Sequence, residues 1–407
     1  MEMVNGENSA SAGASLQKQG GKRFFDPGPI VRETGIPGVR LDFNSGVRLE
    51  VPEGNYHVRI SDQDTMVALL DADVSGQTVC TSKLFYINYL VELWKDGTRI
   101  LTHHLDLAGK NVRLCFMISV LGDTVAFVPA AEAFRRKHGC NVYCVVSKKL
   151  AEILRPAYPD LIFLAEEMEV PDCYATYYLI NSTDKDVMPF DYRQTGYSRC
   201  VPLLLGLGDV ELQPVLKPCA ERPIAEPYVC IAVQASGRRK LWNNPNGWNA
   251  TVDYLKSLGY RVLCIDKNRV ETHGDFENAM PAGAEDFTGD LPLQQRVDLL
   301  GHADFFIGLS SGLSWLAWGC GTPVILISGF THPFAEFSTP YRVINYHVCH
   351  GCGNDNSIEP RSPDYHYCPL HGGSGSAFEC TRFISAGHVY KTIDRLMADH
   401  GLPRPKA

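Results

Sequence analysis

Residues 111–147 read NVRLCFMISVLGDTVAFVPAAEAFRRKHGCNVYCVVS, and this stretch decides the fold. An apolar run leads to Gly122 and Asp123, a segment with helical periodicity follows and stops at Gly139, and a second apolar run comes next. A buried strand, a helix and another buried strand form a βαβ unit, in which the two strands lie parallel in one sheet. The stretch therefore predicts an α/β protein.

The same alternation returns in the second half of the chain, after a proline-rich segment at 214–227 that we interpret as a linker. The segments YVCIAV, YRVLCID, ADFFIGL and TPVILIS are predicted strands, and helical segments separate them. Two doubly wound α/β units that face each other leave a cleft, and ligands bind there at the carboxyl ends of the strands.

The region before the first unit has a different pattern. Between residues 23 and 105, short alternating segments are separated by turn signals such as Asn44-Ser45-Gly46 and Lys95-Asp96-Gly97, which predicts antiparallel hairpins in a small sandwich or barrel. The predicted organisation is a disordered tail at 1–22, a β domain at 23–105, α/β units at 106–220 and 221–345, a metal finger at 346–382 and a C-terminal helix at 383–407.

Composition excludes several classes of protein. The 407 residues carry a net charge of −8, which argues against a general nucleic-acid binder. No run approaches the ~18 apolar residues of a membrane span. The polar N-terminus has no apolar core of a secretory signal. Scattered cysteines within apolar runs then predict a reducing cytoplasm.

Four of the fourteen cysteines lie in a loop-forming segment with the spacing C-x2-C, fifteen residues, C, eleven residues, C. This spacing predicts a four-thiolate metal site, for which zinc is the default ion and iron the alternative. The predicted ligands are Cys349, Cys352, Cys368 and Cys380. Ordinary thiols or disulfides are the competing interpretation, and nearby histidines are candidates to replace a cysteine: His347, His350, His366 and His371.

Asp123 is the first candidate for catalysis. It stands where the first predicted strand of the α/β unit gives way to a helix, so its carboxylate either caps that helix or faces the cleft as a general base. The spacing does not separate these two roles.

Two loops of the second unit are candidates for anion binding. The loop QASGRRKLWNN holds Ser236 and three cations that end at Lys240, a combination that suits a diphosphate, although a solvated charged turn is the alternative. The turn at Ser311, Gly312 and Leu313 joins a strand to a helix whose amides point at an anion. The letters G-L-S-S-G also match a hydrolase nucleophile elbow centred on Ser310, with His332 as partner.

These motifs resemble a known family. LGDTVAFVPAAEAFRR and ADFFIGLSSGLSWLAWGCGTPVILISG are similar to segments of glycosyltransferase family 9, the lipopolysaccharide heptosyltransferases. GYRVLCID, GAEDFTGDLPLQQRV and the four-cysteine segment resemble the bacterial autotransporter heptosyltransferases. The resemblance covers residues 35–395, and it departs from the lipopolysaccharide enzymes at Ser310 and Trp315, where those carry Asp and His.

The resemblance implies a GT-B fold of two Rossmann-like domains, with an acceptor side, a donor side and an N-terminal β domain. It implies a cytoplasmic protein O-heptosyltransferase that moves heptose from ADP-heptose to serines of an autotransporter adhesin by single displacement. It assigns Asp123 as the base and Lys240 as the diphosphate ligand, with Ser311 and Gly312 against the donor. It also implies one Fe3+ ion on the four cysteines, and a homo-oligomer for which a ring-shaped dodecamer is one form.

Two other interpretations stay open at this point. One is a GT-B transferase that uses another nucleotide sugar, and the other is a non-enzymatic, metal-stabilised binding module or chaperone for the adhesin. The chemistry of glycosyl transfer agrees with the residues, since a lysine and helix amides stabilise a leaving diphosphate without a divalent ion. No catalytic divalent metal is therefore expected.

Overall fold

The computed structural model describes residues 27–118, 120–165, 168–273, 276–358 and 367–404. The predicted disordered tail at 1–22 lies outside these ranges. Seven strands open the described chain: β1 (Arg40–Asn44), β2 (Arg48–Val51), β3 (Tyr56–Asp62), β4 (Ala68–Val74), β5 (Gln77–Cys80), β6 (Tyr89–Lys95) and β7 (Thr98–His104). Four of them form an antiparallel sheet in the order β4-β3-β6-β7.

The first α/β unit follows directly. Its elements are β8 (Asn111–Phe116), α1 (Leu121–His138), β9 (Asn141–Val145), α2 (Lys148–Leu154), β10 (Ile162–Leu164), β11 (Cys173–Leu179), α3 (Tyr192–Thr195) and α4 (Tyr197–Leu204). Helix α1 ends as predicted, because Gly139 adopts a left-handed conformation with φ of 61° and its N–H donates to the carbonyl of Arg135.

One seven-stranded sheet spans this unit and part of the N-terminal region, in the order β10-β9-β8-β11-β1-β2-β5. Strand β1 pairs in parallel with β11, and β2 and β5 continue the sheet in antiparallel fashion. The N-terminal region is therefore not a closed barrel, and its two sheets pack on each other, since the ring of Phe43 in β1 lies 5.9 Å from that of Tyr89 in β6. It is a four-stranded sheet together with three strands that extend the first α/β sheet.

The second α/β unit contains a fully parallel sheet in the order β16-β13-β12-β17-β18-β19. Its elements are β12 (Tyr228–Ile231), α5 (Gly247–Ser257), β13 (Arg261–Cys264), β14 (Val270–His273), β15 (Phe276–Ala279), β16 (Glu285–Asp286), α6 (Leu293–His302), β17 (Phe306–Leu309), α7 (Gly312–Gly319), β18 (Val324–Ile327), β19 (Arg342–Val343), α8 (Glu379–Arg382) and α9 (Ala386–Asp399). The pair β14-β15 is a separate hairpin. The predicted α/β class is confirmed.

Strand β12 shows how the second unit packs. All four of its residues are buried, as expected for a parallel strand covered on both faces. Tyr228 and Cys230 belong to a core that also contains residues of α6 and α7, and Val229 and Ile231 belong to a core that contains residues of α5 and α9. The first of these cores continues into the first unit and the N-terminal sheets, so the two units share apolar packing.

Candidate active site and metal finger

The strand order of an α/β sheet indicates where a ligand site is expected. In the second sheet the chain proceeds outward from β12 on one side and from β17 on the other. In the first sheet it proceeds outward from β8 through β9 to β10, and β11 lies on the other side of β8. The crevice beyond the carboxyl ends of such a central pair is the usual ligand site in open α/β sheets. Asp123 follows β8, Lys240 follows β12, and Ser311 follows β17. The predicted site residues therefore lie at these two crevices.

Helices α1 and α7 bring the two crevices together, because their first turns are in contact. A Cβ atom at Gly312 would lie 3.1 Å from the amide nitrogen of Gly122 and 3.1 Å from the Cβ of Leu121. A Cβ atom at Gly122 would lie 3.3 Å from the indole of Trp315. The two glycines thus allow the backbones of the two units to meet beside Asp123.

Asp123 does not cap its helix. The N-cap of α1 is Val120, and Asp123 lies within the first turn. Its side chain is partly accessible to solvent but deeply surrounded by protein, and this burial raises its pKa to about 6, while the charge of Lys240 acts to lower the pKa. A carboxylate with a pKa near 6 is ionised at neutral pH and is more basic than an ordinary aspartate, as general base catalysis requires.

The cationic loop after β12 is not a solvated turn. Residues Arg238–Lys240 form a short 3-10 helix in which Arg239 is buried. The guanidinium of Arg238 lies between the rings of Phe276 and Phe378, at 4.3 and 4.7 Å from their centroids. The pKa of Lys240 is lowered by burial and raised by the charges of Glu336 and Asp123. Lys240 and Asp123 therefore interact across the cleft, each from its own unit.

The turn after β17 presents polar groups at the start of α7. Ser311 is the N-cap, but its side chain makes no cap hydrogen bond, and its buried Oγ has no hydrogen-bond partner among the described residues. Leu313 packs against the shared core, and Ser236, in the other loop, is exposed. Of the predicted residues in these two loops, Ser311 and Lys240 fit an anion best.

A buried polar network behind this turn involves a residue that the sequence did not indicate. The hydroxyl of Ser310 lies 3.2 Å from that of Ser328 and 3.3 Å from that of Thr331. Thr331 donates to Glu336 at 2.7 Å, and Arg342 donates to the same carboxylate at 2.8 Å. Both side chains of the Glu336–Arg342 ion pair are only 7% exposed.

This network has two consequences. The Ser310 hydroxyl is used within a chain of hydroxyls, and the ring of His332 packs against Phe334 and His350, so the arrangement does not support a nucleophile elbow. The charge of Glu336 raises the pKa of Lys240 more than the charge of Asp123 does. Glu336 lies in an irregular loop after β18 and belongs to no short motif, so only the folded structure identifies it.

The cysteines of the finger lie in the second α/β unit. All fourteen cysteines of the chain lie among the described residues, and all are free thiols, so the disulfide interpretation is wrong. Burial, and to a smaller extent the neighbouring thiols of Cys352, Cys368 and Cys349, raise the pKa of Cys380 to about 12, and burial is the main cause that raises the pKa of Cys352 to about 11. The four predicted ligands thus influence one another through space.

A tighter group of metal-ligating atoms lies at the edge of the same finger. The Sγ of Cys349, a ring nitrogen of His371 and a carboxylate oxygen of Glu379 all lie within 4.8 Å of one another. His366, another predicted candidate ligand, lies outside the described residues. This group shares only Cys349 with the four-cysteine set that the spacing predicts.

The finger and the loop after β12 line one cavity. A cavity of about 340 Å³ is lined by Arg238 from the loop after β12 and by Cys368, Phe378 and Arg382 from the finger region. Asn243 of the same loop donates to the hydroxyl of Thr381 at 2.9 Å. The loop that carries Lys240 is therefore held against the finger.

Comparison with known proteins defines the class. The model of the family "Glycosyltransferase TibC, N-terminal domain" matches residues 35–97, and that of "Glycosyltransferase family 9 (heptosyltransferase)" matches residues 207–363. Together with the fold, these matches define a glycosyltransferase of the GT-B type with an N-terminal β domain.

Full-length relatives narrow the class to a family. The chain is 43% identical over 385 residues to the autotransporter heptosyltransferase Aah of Escherichia coli, covering 93% of this chain and 98% of Aah. It is 41% identical over 388 residues to the autotransporter heptosyltransferase BAHTCr of Citrobacter rodentium, covering 94% and 95% of the two chains. The chain therefore belongs to the autotransporter heptosyltransferases.

Solved structures agree. The crystal structure of the bacterial iron-containing dodecameric glycosyltransferase TibC from enterotoxigenic E. coli H10407 matches with a TM-score of 0.88 and 40% identity, covering 92% of this chain and all of TibC. TibC in complex with ADP-D-beta-D-heptose matches with a TM-score of 0.86 and 40% identity, covering 90% and 98% of the two chains.

One relative within the family bears on activity. The inactive autotransporter heptosyltransferase BimC of Burkholderia thailandensis is 37% identical over 375 residues, covering 91% of this chain and 88% of BimC. Activity is therefore a property to be tested at the residues of the site. In the part of the chain that the structure describes, no helix has the length and apolar character needed to cross a membrane.

Proposed function

We propose that this protein transfers a heptosyl group from ADP-heptose to serine hydroxyls of an autotransporter passenger. Its membership of the autotransporter heptosyltransferases and its likeness to the TibC complex with ADP-D-beta-D-heptose support this proposal. The observation that carries it is the interaction of Asp123 from the first unit with Lys240 from the second. A base and a cation on opposite sides of one cleft are what a displacement with an anionic leaving group needs.

Asp123 acts as the general base. The serine hydroxyl must lose its proton as its oxygen attacks the anomeric carbon, and the Asp123 carboxylate accepts that proton. One displacement forms the new carbon–oxygen bond while the bond to the diphosphate breaks, so the configuration at the anomeric carbon inverts.

Lys240 and the start of α7 hold the leaving group. Negative charge grows on the diphosphate as its bond to the sugar breaks, and a fixed ammonium and helix amides stabilise that charge. The Ser311 hydroxyl has no partner among the described residues, and we assign it as a donor to a phosphate oxygen. Gly312 keeps this turn open to the donor, while Leu313 supports it from the core. We assign Ser236 to the rim of the same donor site.

The finger holds one iron ion, with zinc as the alternative. The likeness to iron-containing TibC supports iron, and the four cysteines offer a donor set of the right chemistry because thiolates suit both ions. All four coordination positions of a tetrahedral ion would be taken by Cys349, Cys352, Cys368 and Cys380. The ion would therefore act as a structural cross-link. By the same likeness we propose a homo-oligomer of the dodecameric kind, acting in the cytoplasm.

Substitution of Asp123 tests this function. We expect Asp123→Ala to abolish the appearance of serine-linked heptose on a co-expressed autotransporter passenger, measured by mass spectrometry, while calorimetry still detects ADP-heptose binding. Asp160→Asn, a change of an exposed carboxylate on the first unit, is the matched control and should leave transfer unchanged.

Three outcomes would count against the assignment. Transfer retained by Asp123→Ala would remove its role as base. A sugar other than heptose on the passenger would favour a different nucleotide sugar. Passenger binding without any consumption of ADP-heptose by the wild-type protein would favour a chaperone.

A further inference from the structure

The outer edge of the finger carries three different metal-ligating groups at close range. The Cys349 Sγ, a His371 ring nitrogen and a Glu379 oxygen lie within 4.8 Å of one another, and all three residues are half-buried. In contrast, Cys368 and Cys380 are each only 8% exposed. The mixed group is therefore closer to solvent than these two thiols of the four-cysteine set.

Local backbone contacts hold the mixed group in place. The Cys349 N–H donates to a Glu379 carboxylate oxygen at 3.2 Å, and Glu379 is the first residue of α8, immediately before Cys380. The His371 carbonyl accepts from the N–H and the hydroxyl of Ser374 at 3.1 and 2.9 Å, which fixes the turn that carries the imidazole. These contacts set the three side chains side by side without using the imidazole nitrogens.

The chemistry of the group suits a divalent transition metal. Thiolate, imidazole and carboxylate together bind Zn2+, Co2+ and Fe2+, and three protein ligands leave coordination positions open for water. An incoming hydrated ion can enter such a site while it keeps part of its water shell. Four thiolates, in contrast, form a closed site with no position left for water.

We propose that Cys349, His371 and Glu379 form a loading site for a divalent iron ion, which passes to the four-cysteine set through the shared Cys349. This inference rests on the four-cysteine iron site of the proposed function. The passage is a ligand exchange without a change of oxidation state, so it delivers Fe2+; the Fe3+ form that the resemblance implies requires a later one-electron oxidation by dioxygen. Bonds from the ion to the His371 nitrogen and the Glu379 oxygen break, bonds to the other three sulfurs form, and each of those thiols releases a proton to solvent. The bond to Cys349 persists throughout.

Loading kinetics test the proposal. Full-length protein, stripped of metal by a chelator and kept reduced without oxygen, is mixed rapidly with Fe2+, and the sulfur-to-iron absorption is followed. We expect His371→Ala and Glu379→Gln to reach the same final content of one ion per chain as the wild type, but roughly tenfold more slowly or worse. His388→Ala, which removes an exposed histidine on α9 outside the finger, should load at the wild-type rate.

Two results would overturn the loading role. Wild-type loading rates in both variants would show that the group takes no part, and loss of iron at the end point would show that His371 or Glu379 is a permanent ligand. Absence of iron uptake by the wild type would defeat the inference and the iron assignment together. It would leave the Asp123 experiment, which concerns transfer, unaffected.

A second measurement isolates the mixed site. When Cys352, Cys368 and Cys380 are all replaced by Ser, the folded protein should bind one Co2+ with the absorption of a single thiolate. Addition of His371→Ala to this variant should abolish that binding. Circular dichroism verifies that the variant folds, and the loading kinetics of the single variants decide the question if it does not. A folded variant that binds no Co2+ would contradict the proposal.

Discussion

Two opposing effects set the pKa of the Asp123 carboxylate. Surrounding protein replaces water and raises its pKa, and the ammonium of Lys240 acts in the other direction, which leaves the value at about 6. Because the charges of Glu336 and Asp123 raise the pKa of Lys240, the protonation of Asp123 and that of Lys240 are linked.

The first residue-scale prediction concerns pH. The rate of transfer, as kcat/KM, should fall as pH decreases through about 6, because Asp123 becomes protonated and cannot accept the serine proton. Lys240→Ala should move this acidic limb to higher pH, since the lysine charge lowers the Asp123 pKa. Lys391→Ala, which removes an exposed lysine on α9, serves as the control for a general charge effect. If the acidic limb of Lys240→Ala stays at the wild-type pH, the charge of Lys240 does not influence the pKa of Asp123.

The second prediction concerns Glu336. In Glu336→Gln the Lys240 pKa should fall further, because the charge that raises it is gone, and ADP-heptose affinity should weaken most on the alkaline side. Calorimetry over a range of pH measures this effect. Glu285→Gln, which removes a carboxylate paired with Arg261 on the β13–β16 edge, is the comparison. An equal loss of affinity at every pH would indicate structural damage from the unpaired Arg342, which a parallel melting curve detects.

The sequence could predict Asp123 and Lys240 because each follows a recognisable strand at the edge where ligands bind. It could not predict Glu336, because that residue reaches the site through a loop whose path depends on the Ser310–Ser328–Thr331 hydroxyl network. Nor could the sequence show which of the predicted side chains are accessible. Leu313 packs against the shared core, whereas Ser236 is exposed.

At the scale of elements, the contact of α1 with α7 fixes the geometry of the site. The helices carry Asp123 and the turn that we propose binds the donor, and they meet at Gly122 and Gly312. Any side chain at this contact must push the two first turns apart, and with them the base and the leaving-group site.

We therefore predict that Gly312→Ala lowers the free energy of unfolding by about 1–3 kcal/mol and reduces kcat, because the new Cβ would lie 3.1 Å from backbone and side-chain atoms of α1. Chemical denaturation and steady-state assays measure the two effects. Gly387→Ala, in the first turn of α9, is the control, because its nearest neighbour would be 3.7 Å away. Full activity in Gly312→Ala would show that the helix contact tolerates displacement.

Strands and helices of the second unit were predictable because apolar runs alternate with helical periodicity there. The hairpin β14-β15 was not predicted, because its segments VETH and FENA contain no apolar run. The two strands pair only with each other, outside the main sheets of the described chain. The short helices α3 and α4 were also missed. Gly196 separates them, and the N–H of Tyr197 donates to the carbonyl of Ala335 in the second unit, a tertiary contact that no local pattern reveals.

At the scale of the whole molecule, one apolar core extends from the N-terminal sheets through α1 to the α6 and α7 face of the second unit. Neither α/β unit encloses this core alone. The predicted boundary between residues 105 and 106 likewise falls between strands of closely packed sheets, and the pairing of β1 with β11 crosses it. Sequence patterns are local, so they could not show this pairing.

The shared core predicts a single cooperative unfolding transition for the described chain. Tryptophan fluorescence reports on both regions, because Trp94 lies in the N-terminal sheet and Trp242 in the core of the second unit. We expect its thermal transition to coincide with that of circular dichroism, as two-state unfolding requires. Two resolved transitions would indicate that the units unfold independently despite their common core.

The pairing of β1 with β11 also determines the order in which the protein can be assembled on the ribosome. Asn44 and its hydrogen-bond partner Thr176 are 132 positions apart, whereas β3, β4, β6 and β7 find their partners among near neighbours. The four-stranded sheet can form early in translation, while β1 must wait for β11 to emerge. For that interval β1 and β2 are a nascent hairpin with one uncovered edge, the form most open to capture by a chaperone or by another unfinished chain.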